Sequence, residues 1–127
     1  MEKEFRALLL ADSGVSALVG TRIDWGARPQ GAPLPAIVLH TVSDVSGHTL
    51  DGPWALTTGR VQVDCYADSY GAAKALGRAV RAALDGTRSG NINAVFYQNS
   101  RDGREGGTNE ADRPFRVSMD FLVNYQL

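Results

Sequence analysis

The sequence predicts an α+β fold, an antiparallel β-sheet of about four strands with two main helices packed on one face and long projecting loops. Two observations predict it. Arg60 to Tyr66 alternates apolar and polar residues with a period of two, the pattern of a half-buried strand, and Phe115 to about Tyr125 does the same at the end of the chain. Between them Ala73, Leu76, Val80, Ala83 and Leu84 recur at helical spacing. Strands joined by loops favour antiparallel neighbours, and helices with one apolar stripe can cover one face of such a sheet.

In chain order, Phe5, Leu8 and Leu9 fall three or four apart, which reads as an amphipathic first helix before a stop or reset at Asp12, Ser13 and Gly14. A short second helical turn keeps Val15, Leu18 and Val19 on one apolar side. Gly20 ends it, and Thr21 to Ile23 begins an extended segment. Trp25 to Pro35 holds Gly26, Gly31, Pro29, Pro33 and Pro35, a density that favours an irregular loop. The β-branched run from Ile37 to Val42 reads as a strand with a buried face. Ser43 to Pro53, with Gly47, Asp51 and Gly52, reads as a long hairpin connection.

The next strand should turn Val61, Val63 and Cys65 inward and Arg60, Gln62 and Asp64 toward solvent or a partner. Asp68 or Ser69 can cap the following helix, and Asp85 and Gly86 supply its stop signal. Its two glycines, Gly71 and Gly77, cost intrinsic helicity and permit close packing on a sheet. Asn91 to Gln98 is expected to place Ile92, Ala94 and Phe96 on one side of a strand, with Asn93, Val95 and Tyr97 on the other. Ser100 to Pro114 carries Gly103, Gly106 and Gly107 among alternating acids and bases, a loop or inserted arm. The closing strand turns Phe115, Val117, Met119, Phe121 and Val123 one way and Arg116, Ser118 and Asp120 the other. If Arg60, Gln62, Asp64, Arg116, Ser118 and Asp120 lie together, the sheet's second face is polar and patterned to meet another subunit.

With 127 residues, the length suits one cored domain spanning 1–127. Thirteen Lys and Arg against fourteen Asp and Glu give a net charge of −1, so the broad positive footprint of a general nucleic-acid binder is missing. The apolar run from Ala7 to Ala11 is far below the roughly 20 residues that span a bilayer, and its charged flanks do not resemble a secretion signal. The single Cys65 allows no intrachain disulfide.

Catalytic readings find little support. The two histidines, His40 and His48, match no compact zinc spacing with Asp44, Asp51, Asp64 or Cys65. Cys65 with His40 could pair a thiol with a base, but inward alternation makes Cys65 a core thiol. The chain lacks GxxxxGK[ST] and GxGxxG, and Gly103 to Gly107 precedes no clear helix. No catalytic residue, metal site or cofactor is expected. Arg101, Arg104, Arg113 and Arg116 are interleaved with Asp102, Glu105, Glu110 and Asp112, which fits intersubunit ion pairing or solvation better than a phosphate track. Trp25 and Trp54 sit in Pro- and Gly-bearing segments, where an aromatic ring anchors a loop to its own core or buries against a partner.

Four segments in this order resemble the tail-completion family of tailed bacteriophages and related gene-transfer particles. They are Arg22-Ile23 with Gly31 to Pro35 and Ile37 to Leu39; Arg60 to Ala67; the helix from Lys74-Ala75-Leu76 to Leu84-Asp85-Gly86; and Phe115 to Phe121. The resemblance implies a non-enzymatic virion protein, a tail terminator at the head-proximal end of a non-contractile tail, assembled in the host bacterial cytoplasm. It further implies a homo-hexameric ring that meets the tail tube protein and the head-tail connector protein, with DNA passing through unread and no membrane contact. Another head-tail adaptor or minor tail subunit is the alternative, ahead of a small enzyme or nucleic-acid-binding domain. The expected contacts with neighbouring subunits or the tube come from His48, Trp54, Arg60, Gln62, Asp64, Arg101, Arg104, Glu105, Arg113 and Arg116.

Overall fold

A computed structural model describes residues 1–29, 31–49, 52–104 and 114–126, and for 45–49, 52–56 and 104 the backbone alone. Among them are α1 (Glu2–Ala11), α2 (Ser13–Val19), β1 (Ile23–Trp25), β2 (Ala36–Thr49), β3 (Gly52–Ala67), α3 (Tyr70–Leu84), β4 (Ile92–Arg104) and β5 (Phe115–Gln126). The five strands form one sheet in the order β1-β2-β3-β5-β4. All neighbours are antiparallel except β1, which runs parallel to β2 with Ile23 opposite Ile37 and Trp25 opposite Leu39. The α+β class is therefore as expected, while the sheet is mixed and has a fifth strand, and the described helices number three. The extended segment expected to begin at Thr21 to Ile23 is this short β1, whose parallel pairing with β2 a three-residue stretch is too short to announce.

Asp12 separates the first two helices. Its backbone is extended, at φ −79° and ψ 122°, and its carboxylate accepts the Val15 N–H at 2.9 Å, capping α2. Gly20, at φ 59°, closes α2 in a conformation that costs other residues strain. Ser69 caps α3 by accepting the Ala72 N–H at 3.1 Å. Beyond α3 the Asp85 carboxylate accepts the Tyr97 N–H at 3.0 Å, so the stop signal also ties the helix end to β4.

The core lies between the helices and one face of the sheet. Phe5 and Leu9 of α1, Val15 and Val19 of α2, and Ala73, Leu76, Val80 and Leu84 of α3 meet Ile37, Leu39, Val61, Val63 and Cys65 there. Val117, Met119, Phe121 and Val123 complete it from β5. Alternation in β3 and β5 selects these residues as the sequence predicts. In α2 the apolar side is narrower than expected, since Leu18 is exposed while Val15 and Val19 are buried. Gly77 lets α3 approach β5 closely: a Cβ built there would stand 3.3 Å from Val117 Cγ1 and 3.6 Å from Met119 Sδ.

Two expected loops contain strand. Ser43 to Thr49 and Gly52 to Pro53 belong to the β2·β3 ladder, which runs out to Thr49 opposite Gly52, with irregularities between Thr41 and Ser43 and between Ser46 and His48. Backbone pairing requires no apolar alternation, so a polar arm can continue a ladder that its side chains do not announce. Likewise β4 continues through Ser100 to Arg104, opposite Met119 to Phe115. The rest of the predicted 100–114 loop, residues 105–113, lies outside the described residues. A register shift between Ile92 and Ala94 also corrects the expected faces of β4. Ile92 and Val95 are buried together, and Phe96 is exposed instead of sharing a side with Ile92. One extra residue in one strand exchanges the faces of everything after it.

Candidate functional site

The sheet face opposite the helices carries a connected polar network. Asp64 on β3 lies between Val38 of β2 and Ser118 of β5, and Gln62 lies between His40 and Asp120. Side chains two residues apart on neighbouring strands share a face, so the alternation that buries Val61, Val63 and Cys65 gathers these polar groups on the other side. The Ser118 hydroxyl donates to Asp64 Oδ1 at 2.6 Å, and Gln62 Nε2 donates to both Asp64 carboxylate oxygens at 2.9 and 3.2 Å. His40 Nε2 stands 3.5 Å from Asp64 Oδ2.

Arg101 connects β4 to this group. Its Nη2 donates to Gln62 Oε1 at 3.1 Å, and its Nη1 donates to Asn99 Oδ1 at 3.3 Å and to Asp120 Oδ2 at 3.4 Å. Arg60 Nη1 approaches the same Asp120 oxygen at 3.9 Å. Arg116 lies over Gly103, where an added Cβ would stand 3.3 Å from Arg116 Nη2. Near it Arg28 stacks on Tyr66 at 5.4 Å from the ring centroid. A cavity of about 320 Å³ opens there, lined by Gly26, Ala27, Arg28, Pro29, Gly31, Val38 and Tyr66.

Thus Arg60, Gln62, Asp64, Arg101 and Arg116 share one face. Asp64 does not face solvent or a partner as expected: it is only 2% exposed, covered by the groups that bond to it. Its place is to hold Gln62 and Ser118, and through Gln62 the more exposed Arg101. Of the remaining predicted contacts, His48, Trp54 and Arg104 have their backbones in β2, β3 and β4, with side chains outside the described residues. Glu105 and Arg113 lie outside them altogether. Reading the sequence alone overlooks His40 and Asn99 as members of the network. His40 was legible, because it stands one strand position from the apolar Leu39. Asn99 was not, because the register shift between Tyr97 and Asn99 carries it to the polar face.

Part of the charge on this face is compensated within the chain: Arg60 and Arg101 both approach Asp120, and cations paired this closely hold phosphates less readily than lone ones. Asp102 is matched on the opposite face, accepting from Lys74 Nζ at 3.0 Å and from the Tyr70 hydroxyl at 2.9 Å. Those two hydrogen bonds, that of Lys74 foremost, hold the Asp102 carboxyl below its ordinary pKa. Arg81 stacks over Tyr97 at 3.8 Å. Arg101 and Asp102, expected to pair between subunits or be solvated, are therefore engaged inside their own chain. Trp25 is also anchored internally: its indole N–H donates to Glu2 O at 3.1 Å, and its ring packs 6.1 Å from Phe5.

The chemistry available to these groups is limited. Cys65 is fully buried on the core face while His40 projects from the other, so the sheet itself stands between thiol and imidazole. Burial, with a smaller contribution from the Asp64 charge, pushes the Cys65 thiol well above its ordinary pKa, opposite to what a nucleophile needs. Ser118, Asp64 and His40 touch in an order with the carboxylate in the middle. A hydroxyl is activated by a base that contacts it, and here Ser118 contacts the acid. No group of three or more His, Cys, Asp and Glu side chains converges as a metal site among the described residues, and no helix there is long and apolar enough to cross a membrane.

Comparison with known proteins follows the same direction. The family profile described as "Tail completion protein gp17" matches residues 3–126. A solved structure titled "Virion of native gene transfer agent (GTA) particle" contains a chain that superposes with a TM-score of 0.75. It is 22% identical, over 97% of this chain and 92% of that one. The fold is shared at that level of identity. No curated protein matches the sequence.

Proposed function

Because the chain belongs to the Tail completion protein gp17 family, a family of structural rather than catalytic proteins, we propose that it terminates a non-contractile tail at its head-proximal end. In this reading six copies form a ring that covers the last ring of the tail tube protein and presents a new surface to the head-tail connector protein. The family match over 3–126 is the observation that carries the reading. The charge balance supports it, since a bore that DNA must traverse should not capture phosphates, and a net charge of −1 offers no broad positive footprint. Assembly would take place in the host bacterial cytoplasm before the particle is complete.

The contact surface we assign comprises Arg60, Gln62, Arg101 and Arg116 from the polar face, with Asp64 positioning Gln62. His48, Trp54, Arg104, Glu105 and Arg113 join it from the two arms. Trp54→Ala should impair ring formation or tail joining while thermal unfolding of the isolated subunit stays unchanged; normal assembly would remove Trp54 from the surface. The role itself is tested by electron micrographs of particles made without the protein. Filled heads separate from tails, with tails of uncontrolled length, are expected. Tails of normal length joined to heads would refute the role, and tails of normal length left unjoined would point to an adaptor instead.

A further inference from the structure

Two stretches of strand edge have no backbone partner among the described residues, and they lie at diagonally opposite corners of the sheet. On the outer edge of β4 the first half is occupied. Gly86 N–H donates to Val95 O at 2.8 Å, Val95 N–H to Thr87 O at 3.1 Å, and Tyr97 N–H to the Asp85 carboxylate at 3.0 Å. Beyond the register shift at Gln98 the edge from Ser100 to Arg104 is open. The outward Tyr97 N–H marks its pair with Phe121 as one that exchanges no ladder bonds. Antiparallel ladders alternate, so Ser100 opposite Met119 and Asp102 opposite Val117 also direct their N–H and C=O groups outward. On the other side of the sheet β1 covers β2 only at Ile37 to Leu39, with Gly26 N–H donating to Leu39 O at 2.8 Å. From Thr41 to Thr49 that edge is open, and Val42 there is 53% exposed.

Strand directions match. β3 opposes β2, β5 opposes β3, and β4 opposes β5, so β4 runs against β2. A rotation that sets a second copy beside the first in a ring preserves these directions, and β4 of one copy then meets β2 of the next as an antiparallel pair.

The offset matches as well. Through the ladder Asn99–Asp120–Gln62–His40 and the ladder Gly103–Arg116–Tyr66–Ala36, the open end of β4 lies level with the start of β2. Bringing Ser100–Arg104 beside Thr41–Ser46 of a neighbour requires a slide of about six residues, roughly 20 Å at ~3.3 Å per residue. Ring closure supplies such a slide. The four strands β2, β3, β5 and β4 at about 4.8 Å spacing are roughly 19 Å wide, and strands tilted by about 35–45° offset copies at equal height by about 13–19 Å. The two offsets agree to within about two residues.

We propose that the Ser100–Arg104 edge of β4 pairs with the Thr41–Ser46 edge of β2 in the next copy, continuing the sheet from subunit to subunit. The pairing rests on the ring reading above and names the surface that closes the ring. An unprotected edge is ordinarily an aggregation hazard, and closure removes it.

Ser100→Pro deletes an outward N–H without touching the β4·β5 ladder. Native mass measurement should show loss of the ring, with the melting temperature of the monomer changed by no more than a few degrees. Arg101→Cys combined with Ser43→Cys, both on the polar face, should give a ladder of disulfide-linked oligomers in oxidised rings or purified particles, and neither single variant should. A ring of wild-type mass from Ser100→Pro overturns the pairing, as does the absence of a ladder from intact rings. If Ser100→Pro fails to fold, the cysteine pair alone decides. Wild-type protein that forms no ring, either alone or in particles, overturns the ring reading itself and the pairing with it.

Discussion

Gly77 sets the distance between α3 and the sheet, and two substitutions in the same helix separate that effect from helix propensity. At Gly71, near the start of α3, an added Cβ meets nothing within 4 Å, so Gly71→Ala gains only the propensity difference, about 0.5–1 kcal/mol. At Gly77 the same gain is opposed by a 3.3 Å approach to Val117 Cγ1. Val117 is β-branched, buried and near the start of β5, where it is paired on both sides with Cys65 of β3 and Asp102 of β4, so it has little freedom to withdraw. Gly77→Ala should therefore come out near zero, and Gly77→Leu should destabilise by about 1–3 kcal/mol through overpacking. Urea unfolding at constant m reads these differences directly. For a chain of this size about 1 kcal/mol corresponds to roughly 4 °C in Tm. Combining Gly77→Ala with Val117→Ala should recover the propensity gain relative to Val117→Ala alone. If Gly77→Ala stabilises as much as Gly71→Ala, or if Gly77→Leu is neutral, the helix does not rest on Val117 as described.

Three further outcomes follow from the buried polar and titratable groups. Asp64→Ala leaves the buried Ser118 hydroxyl without its acceptor and should cost about 1–3 kcal/mol; Asp64→Ala with Ser118→Ala should cost less than the sum of the singles, and strict additivity in a double-mutant cycle would contradict the bond. Tyr125 is pushed up to about 12, mainly by burial and then by its 2.9 Å hydrogen bond to Asp44, so the folded state holds that proton more tightly than the unfolded chain. Its contribution is complete below about pH 10 and is lost between about 10 and 12, so Tyr125→Phe should flatten the fall in stability over that window. Cys65 should resist thiol reagents in native buffer and react fully in urea, and rapid labelling of the folded protein would place the thiol elsewhere than in the core.

Residues with a repeating environment were legible from the chain. Alternation located Val61, Val63 and Cys65 on the core face and Arg60, Gln62 and Asp64 on the other, and helical spacing located Leu76, Val80 and Leu84. Such patterns survive because each residue in a regular element repeats its neighbour's surroundings at a constant period. Family membership was legible in the order of the four segments. The parallel pairing of Ile23–Trp25 with β2, the strand arms from Ser43 onward and the exposure of Phe96 were not, because each depends on a pairing or a shift of register.

The sequence by itself determined the core faces of β3, β5 and α3, where the helices stop and that Cys65 lies in the core. Only the tertiary structure decided which polar residues meet. Asp64 reads as a surface acid until Ser118, from a strand more than fifty residues away, donates to it at 2.6 Å. The open ends of β2 and β4 likewise exist only once β1 and the Asp85–Ser89 segment have taken the rest of those edges. Periodicity records the solvent a residue sees; the partner it bonds is fixed by register between distant strands, which no local pattern encodes.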